Sequence, residues 1–101
     1  MNSVIIKLTP SSLKPEEYRI RIPKEGWHLF PTYYAEVELY KEDGNRLLKP
    51  HHYNPKYHEL SIGEWLNVHR ELKAGDKIRI TVIEPMKKYR LERVFVPLRG
   101  V

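Results

Sequence analysis

The chain contains no cysteine among its 101 residues and no long apolar run. The absence of cysteine excludes disulfide bonds and thiolate metal sites, so nothing ties the chain to an oxidising compartment. No apolar stretch reaches the roughly 20 residues that a membrane-spanning helix requires, and the N-terminus has no secretory pattern. We expect a soluble, cytoplasmic protein without a membrane partner, folded as one domain over residues 1–101.

Sequence signatures of catalysis are missing as well. The five glycines are isolated from one another, so no glycine-rich loop is available to cradle a phosphate. No serine lies in a nucleophile-elbow pattern, and the carboxylates are scattered rather than clustered as metal-dependent nucleases require. We expect neither enzymatic activity nor a cofactor.

Positive charge is present in excess and is unevenly placed. The net charge of +5 and the pI of about 9.5 favour a polyanionic partner. Residues 46–58 (RLLKPHHYNPKYH) contain three basic side chains, three histidines and two tyrosines but no acid, whereas residues 25–45 contain five acids and Lys41 as their one base. The basic segment is therefore a candidate surface for a negatively charged ligand.

Alternation of apolar and polar residues predicts a mainly β fold. Asp43 and Gly44 form a hairpin-turn signal between the strand 35–40 and a strand that begins near Arg46, so these two strands should be antiparallel neighbours. Further strands are predicted over residues 4–8, 18–22, 77–83 and 91–96. Six or seven short strands separated by turns are typical of a small barrel or sandwich.

Two short helices complete the predicted fold. Ser61 and Glu64 have the spacing of a capping box, and an apolar stripe that includes Trp65 continues to Leu72. Trp65 is interpreted as a core anchor of this helix. A second helix over residues 24–30 is a weaker prediction, because Gly26 disfavours it.

The order of several short motifs resembles the plant B-three transcription-factor domains. The motifs are Leu-Thr-Pro-Ser-Ser at 8–12, Ile-Pro-Lys at 22–24, Phe-Pro at 30–31, the run from Tyr57 to Trp65, and Leu-Lys-Ala-Gly-Asp at 72–76. This resemblance implies the DNA-binding pseudobarrel fold, which also occurs in the effector-DNA-binding domain of EcoRII-type restriction endonucleases. It therefore implies double-stranded DNA as the partner, with either a stand-alone regulator or a recognition domain that has a fused or associated nuclease domain. The oligomeric state stays open.

The resemblance also implies two arms that grip the DNA major groove. Arm residues then supply phosphate contacts, such as Lys49, Lys56 and the serines, and base contacts, for which Asn54 suits adenine and Arg or Lys suits guanine. The first arm comprises Ser11, Ser12, Lys14 and Arg19, with Arg21 and Lys24 beside it. The second arm comprises Arg46, Lys49, His51, His52, Tyr53, Asn54 and Lys56.

The histidines of the basic segment permit another interpretation. His51, His52 and His58 are possible metal ligands, but their spacing matches no strong structural zinc pattern, and we expect no metal. Contacts from these histidines to phosphates or base edges would instead strengthen DNA binding as the pH falls through about 6.5, the ordinary pKa of histidine.

Other functions remain open on the same barrel. A single-strand or RNA-binding module would stack unpaired bases on Tyr53 and Tyr57, and a protein-interaction module would pair a partner chain with the strand 91–96. The basic residues near the C-terminus either extend the DNA contact or solubilise an edge strand. These residues are Lys87, Lys88, Arg90, Arg93 and Arg99.

Overall fold

A computed structural model describes residues 2–14 and 18–94 of the chain. These residues form seven strands, which three short helical segments connect. The strands are β1 (Ser3–Lys7), β2 (Arg19–Arg21), β3 (Ala35–Tyr40), β4 (His51–Asn54), β5 (Glu59–Ser61), β6 (Lys77–Glu84) and β7 (Lys88–Val94). The helix α1 spans Gly63–Val68, and two 3₁₀ helices span Pro10–Leu13 and Lys24–Leu29.

The strands form one strongly curved sheet in the order β1-β6-β7-β3-β4-β5-β2. Every pairing is antiparallel except that of β3 with β7, which is parallel. β1 and β2 are the two ends of this order, so the barrel is nearly closed with a single seam between them. The structure thus confirms the predicted mainly β pseudobarrel.

The core fills the inside of the barrel because alternate side chains of each strand point inward. In β2, Ile20 is buried between the exposed Arg19 and Arg21, as the alternation predicts. Trp65 is fully buried and anchors α1 in the core, which confirms its predicted role. In the described part of the chain, eighteen apolar side chains are buried in this cluster.

Three aromatic rings stack at one end of the core. Phe30 lies between Tyr53 and Tyr89, with ring centroids 4.8 Å and 4.5 Å away. The Tyr89 hydroxyl donates a hydrogen bond of 2.7 Å to the Leu29 carbonyl, which satisfies the one polar atom of that buried ring. This stack joins β4 and β7 to the end of the second 3₁₀ helix.

The predicted capping box does not form, and the helix that it should begin is shorter than predicted. Ser61 belongs to β5, and its hydroxyl accepts a hydrogen bond of 2.9 Å from the His52 amide instead. The Glu64 carboxylate accepts hydrogen bonds from the Leu48 amide at 3.1 Å and the Lys49 amide at 2.6 Å. The α-helix therefore begins without a side-chain cap and ends at Val68 rather than near Leu72.

Two further sequence predictions are corrected in extent. The Asp43-Gly44 turn is present, with Gly44 at a φ of 88°, but the strand predicted from Arg46 is a single bridge between Arg46 and Tyr40. The ladder with β3 begins again only at His51. The last two residues of the strand predicted over 91–96 lie outside the described residues.

Within residues 2–14 and 18–94, no helix is both long enough and apolar enough to cross a membrane.

Candidate nucleic-acid interface

A cleft of about 470 Å³ lies along the seam of the barrel and collects positive charge. Lys7 reaches it from the end of β1, and Arg19 and Arg21 reach it from β2. We call it the seam cleft; its lining residues are Lys7, Thr9, Ser11, Ser12, Arg19, Arg21 and Glu59. The open seam therefore brings cations from both ends of the sheet into one place.

Among residues 2–14 and 18–94, Glu59 is the one acidic residue that lines the seam cleft. Its carboxylate lies 3.8 Å from an Arg19 guanidinium nitrogen and 3.9 Å from one of Arg21. Both arginine side chains are more than half exposed, so these long ion pairs contribute little to stability. Of the charged residues that line the cleft in the described part of the chain, three are cations and one is a carboxylate.

The first predicted arm reaches this cleft only in part. The Ser12 side chain lines the cleft but is mostly buried, and its hydroxyl accepts a hydrogen bond of 3.3 Å from the Thr9 amide. Ser11 is exposed on the first 3₁₀ helix, and Lys14 is exposed just after it. Lys24 is also exposed, at the start of the second 3₁₀ helix, but it does not line the seam cleft.

A second cleft of about 280 Å³ continues from the seam cleft across the outer side of the barrel. Arg19 and Glu59 line both clefts. The rest of its lining comes from Tyr34, His52, Asn54 and Ser61. We call the outward side chains of these three adjacent strands the β2–β5–β4 face: Arg19 and Arg21, Glu59 and Ser61, His52 and Asn54.

Two residues predicted as DNA contacts point away from this face. His51 and Tyr53 are buried, because β4 alternates and its inward positions are 51 and 53. Desolvation lowers the pKa of His51 below its usual value, so burial disfavours the charged form of the ring. Burial likewise raises the pKa of Tyr53. Tyr53 belongs to the apolar core and His51 is buried, so neither side chain is exposed for the DNA contact predicted at these positions.

The outward residues of β4 have defined partners. The His52 ring stacks on the exposed Tyr34 with centroids 5.7 Å apart, and its Nε2 lies 3.9 Å from a carboxylate oxygen of Glu36. The Asn54 Oδ1 accepts a hydrogen bond of 3.0 Å from the Lys56 amide. This local turn fixes the orientation of the Asn54 side chain at the start of the β4–β5 connection.

The end of the β4–β5 connection is held by an aromatic stack. His58 adopts a positive φ of 53° and stacks on Trp27 at 3.6 Å, with the ring planes within 5° of parallel. Its Nδ1 shares a hydrogen bond of 3.1 Å with the Tyr53 hydroxyl. Lys56 and Tyr57 are exposed at the tip, where the Lys56 ammonium lies 5.3 Å from the centre of the Tyr57 ring. The connection is thus tied down at both ends while its tip is free to contact a ligand.

The basic segment 46–58 is divided by β4 into two separate surfaces. Arg46 and Lys49 precede the strand, and the Arg46 Nε lies 3.4 Å from a carboxylate oxygen of Glu38 on β3. Lys49 is exposed beside α1, where it lines a cleft with Asn67. Neither residue lines the two clefts of the β2–β5–β4 face. The segment predicted as one arm contributes to that face only through its second half.

The basic residues near the C-terminus are largely paired with acids. Glu84 contacts both Lys87 and Lys88, at 3.6 Å and 3.7 Å. Arg90 lies 3.5 Å from Glu92 on the same strand. Arg93 forms a two-pronged pair with Glu42 and a further contact of 3.0 Å with Glu71. Arg99 lies outside the described residues.

Sequence reasoning missed Lys7, Tyr34, Glu59 and Ser61. Each lies at an outward or flanking position of a strand, and the period-two alternation of β1 and β5 was the signal that would have found Lys7, Glu59 and Ser61. No group of three or more metal-ligating side chains occurs among residues 2–14 and 18–94.

Comparison with known proteins gives structural similarity alone. No family model matches the chain, and no curated protein sequence matches it. The N-terminal domain of Helicobacter pylori LlaJI.R1 superposes with a TM-score of 0.68 at 21% identity, covering 95% of this chain and 82% of that one. The hypothetical Arabidopsis thaliana protein At1g16640.1 superposes with a TM-score of 0.54 at 15% identity, covering 91% and 90%. At such identities these neighbours establish a shared fold only.

Proposed function

We propose that this chain binds double-stranded DNA sequence-specifically, with the β2–β5–β4 face directed into the major groove. The observation that carries this proposal is the convergence of Lys7, Arg19 and Arg21 on one cleft that continues into the polar cleft of Asn54. A duplex presents closely spaced phosphates beside base edges, and such a surface offers cations beside hydrogen-bonding side chains.

The exposure and weak ion pairing of its arginines favour this face over the other basic surfaces. The side chains of Arg19 and Arg21 are 53% and 74% exposed. The ion pairs that they form with Glu59 are long. Their exchange from Glu59 to a phosphate therefore costs little. Arg93, by contrast, is only 26% exposed and is hydrogen-bonded to carboxylates.

The place of each side chain on the face decides whether we assign it to phosphate contacts or to base contacts. Lys7, Arg21 and the exposed Ser11 flank the seam cleft and suit phosphate contacts, which position the protein without specifying sequence. Asn54 and Glu59 lie further across the face and suit base edges. Lys56, at the tip of the β4–β5 connection, is a further phosphate contact.

The proposed role is recognition without chemistry. The chain then acts either as a regulator by itself or as the recognition domain for a nuclease in another domain or subunit. Cleavage of duplex DNA by the purified chain in the presence of divalent cations would contradict this part of the proposal.

A comparison of matched arginine and lysine variants tests the proposal. Arg19→Ala and Arg21→Ala remove cations from the face, whereas Lys87→Ala removes the same charge from the β6–β7 turn. Affinity for a labelled duplex is measured by fluorescence anisotropy over a series of salt concentrations. We expect each arginine variant to bind more weakly, with the slope of log affinity against log salt shallower by about 0.9 per lost phosphate contact.

Lys87→Ala should leave affinity and slope close to those of the unmodified chain. Equal effects of all three substitutions would show that the attraction is diffuse and would reject the proposed face. Circular dichroism of each variant confirms that the fold is retained.

Single-stranded nucleic acid is a second candidate ligand, favoured by exposed aromatic rings beside the face. Tyr34 and Tyr57 are 63% and 49% exposed, and stacking of unpaired bases on such rings is tolerant of sequence. Competition between a duplex and its separate strands at one salt concentration decides between the two. Tighter binding of the duplex supports the main proposal, and tighter binding of single strands favours the second candidate.

A further inference from the structure

Asn54 and Glu59 form an asymmetric polar pair on the β2–β5–β4 face. They are direct cross-strand partners in the β4–β5 ladder, and their neighbours Tyr53 and Leu60 point inward. Both side chains therefore project outward side by side, with β-carbons roughly 5 Å apart as for such pairs in general. Both line the cleft of about 280 Å³.

Asn54 presents hydrogen-bond donors to this cleft. Its Oδ1 is engaged by the Lys56 amide at 3.0 Å. Its Nδ2 has no hydrogen-bond partner among residues 2–14 and 18–94, so two N–H groups remain available. The local turn thus converts an amide that could donate and accept into one whose donors are the free groups.

Glu59 presents acceptors to the same cleft. Its carboxylate is held by Arg19 and Arg21 at 3.8 Å and 3.9 Å, distances longer than hydrogen bonds. No donor in the described part of the chain makes a hydrogen bond to it. The Glu59 oxygens therefore keep their capacity to accept hydrogen bonds from a ligand.

We propose that Asn54 and Glu59 together determine specificity by reading one base pair in the major groove, an inference that rests on the proposed DNA binding. The Asn54 amide donates to the keto oxygen of guanine or thymine, and the Glu59 carboxylate accepts from the amino group of the paired cytosine or adenine. Keto and amino groups of one base pair are adjacent in the major groove. The pair therefore distinguishes a base pair whose keto-bearing base contacts Asn54 from the same base pair in the reversed orientation. In this arrangement Asn54 does not read adenine.

Exchange of the two side-chain chemistries tests this inference. Asn54→Asp keeps an oxygen for the Lys56 amide but replaces the donors with an acceptor, and Glu59→Gln introduces donors. The double variant moves one negative charge across the strand pair, so the net charge and the non-specific attraction stay those of the original chain. Duplexes are selected from a randomised pool with the original chain and with each variant in parallel.

We expect the original chain to select one position at which guanine or thymine is fixed on a given strand. The double variant should select the reversed orientation at that position, with a change in preference of about tenfold, within the range for base contacts. Retention of the original preference by the double variant would overturn the inference. Failure of the original chain to enrich any duplex would instead overturn the proposed function.

A second measurement uses the original chain alone. At the same position of its selected duplex, the amino-bearing base is replaced by an analogue that lacks the exocyclic amino group. We expect the affinity to fall about tenfold, and Glu59→Ala to abolish the difference between the two duplexes. Equal affinity of the original chain for both duplexes would overturn the role of Glu59.

Discussion

Replacement of Glu42 by glutamine should separate the structural charges of this barrel from those available to a ligand. The Glu42 carboxylate follows the end of β3 and accepts hydrogen bonds from the Arg93 Nε at 2.9 Å and Nη2 at 3.0 Å. The Arg93 backbone amide donates to the same carboxylate. Glu42→Gln removes the negative charge from this two-pronged pair and leaves one acceptor, so β7 loses its strongest charged tie to the β3–β4 turn.

The expected cost follows from the pKa of Glu42. The side-chain hydrogen bonds from Arg93 lower this pKa from 4.5 to about 2, against the opposing effect of desolvation. At about 1.4 kcal/mol per pKa unit, the shift sets an upper limit of about 3 kcal/mol. The Glu42 side chain is 29% exposed, so solvent screening reduces the expected loss to about 2 kcal/mol. For a domain of this size, that corresponds to a fall in Tm of about 10 °C.

The effect should depend on pH in a defined direction. Because the folded-state pKa is depressed, the stabilisation is fully present above 4.5 and is lost as the pH falls through the interval down to about 2. Glutamine does not titrate. The difference in unfolding free energy between the original chain and Glu42→Gln should therefore shrink across that interval.

Urea denaturation at a series of pH values measures this difference. Glu84→Gln is the matched control, since the Glu84 side chain is 45% exposed and contacts only exposed or half-exposed lysines. The control should lose less than about 0.5 kcal/mol. A loss for Glu42→Gln that is equally small near neutral pH, or one that does not change with pH, would refute this account of the pair.

Three further substitutions test how the candidate site is supported. Glu64→Ala removes the carboxylate that binds the Leu48 and Lys49 amides, and it should cost about 1 kcal/mol in chemical denaturation, while Glu64→Gln should recover part of the loss. His58→Ala removes the ring stacked on Trp27 and the partner of the Tyr53 hydroxyl, so it should destabilise the fold by about 1 to 2 kcal/mol. It should also weaken DNA binding more than Lys87→Ala does. Unchanged DNA affinity would show that the β4–β5 connection is not part of the interface. Gly26→Ala would place a β-carbon 2.9 Å from a methyl group of Val4, and a loss of about 1 to 3 kcal/mol is expected in thermal unfolding.

The strands were predictable because this barrel buries one side of each strand and exposes the other. Alternation located Ile20 between two arginines and placed the Asp43-Gly44 turn after β3, and the structure has both. Trp65 was assigned to the core for the same reason, since a large aromatic ring on an apolar stripe is best satisfied by burial. These features depend on local sequence alone.

The failed predictions are those that depend on tertiary partners. Ser61 and Glu64 have the spacing of a capping box, but β4 and its preceding loop offered backbone amides that bind both side chains more favourably. His51 and Tyr53 were assigned to the second arm because they lie in the basic segment and because Tyr53 and Asn54 resemble the contact loop of the B-three domains. Once positions 51–54 form a strand, residues two positions apart point to the same side, so His51 and Tyr53 are buried together.

The composition of the candidate interface depends on closure of the barrel. Lys7 and Arg21 are separated in sequence and belong to the opposite ends of the strand order, so only the seam brings them together. Glu59 joins them because β5 pairs with β2. Charge counts along the chain could show that a basic surface exists, but not which cations share a cleft.

Mapping of the bound duplex on the protein tests the central claim most directly. A ¹⁵N-labelled sample is titrated with duplex DNA selected from a randomised pool, and amide chemical shifts are followed by NMR. The account predicts that the largest changes fall on β2, on β5 and on the outward positions of β4, including Arg19, Asn54 and Glu59. Changes centred on the β6–β7 turn around Lys87 would contradict it. So would an absence of changes at duplex concentrations well above that of the protein.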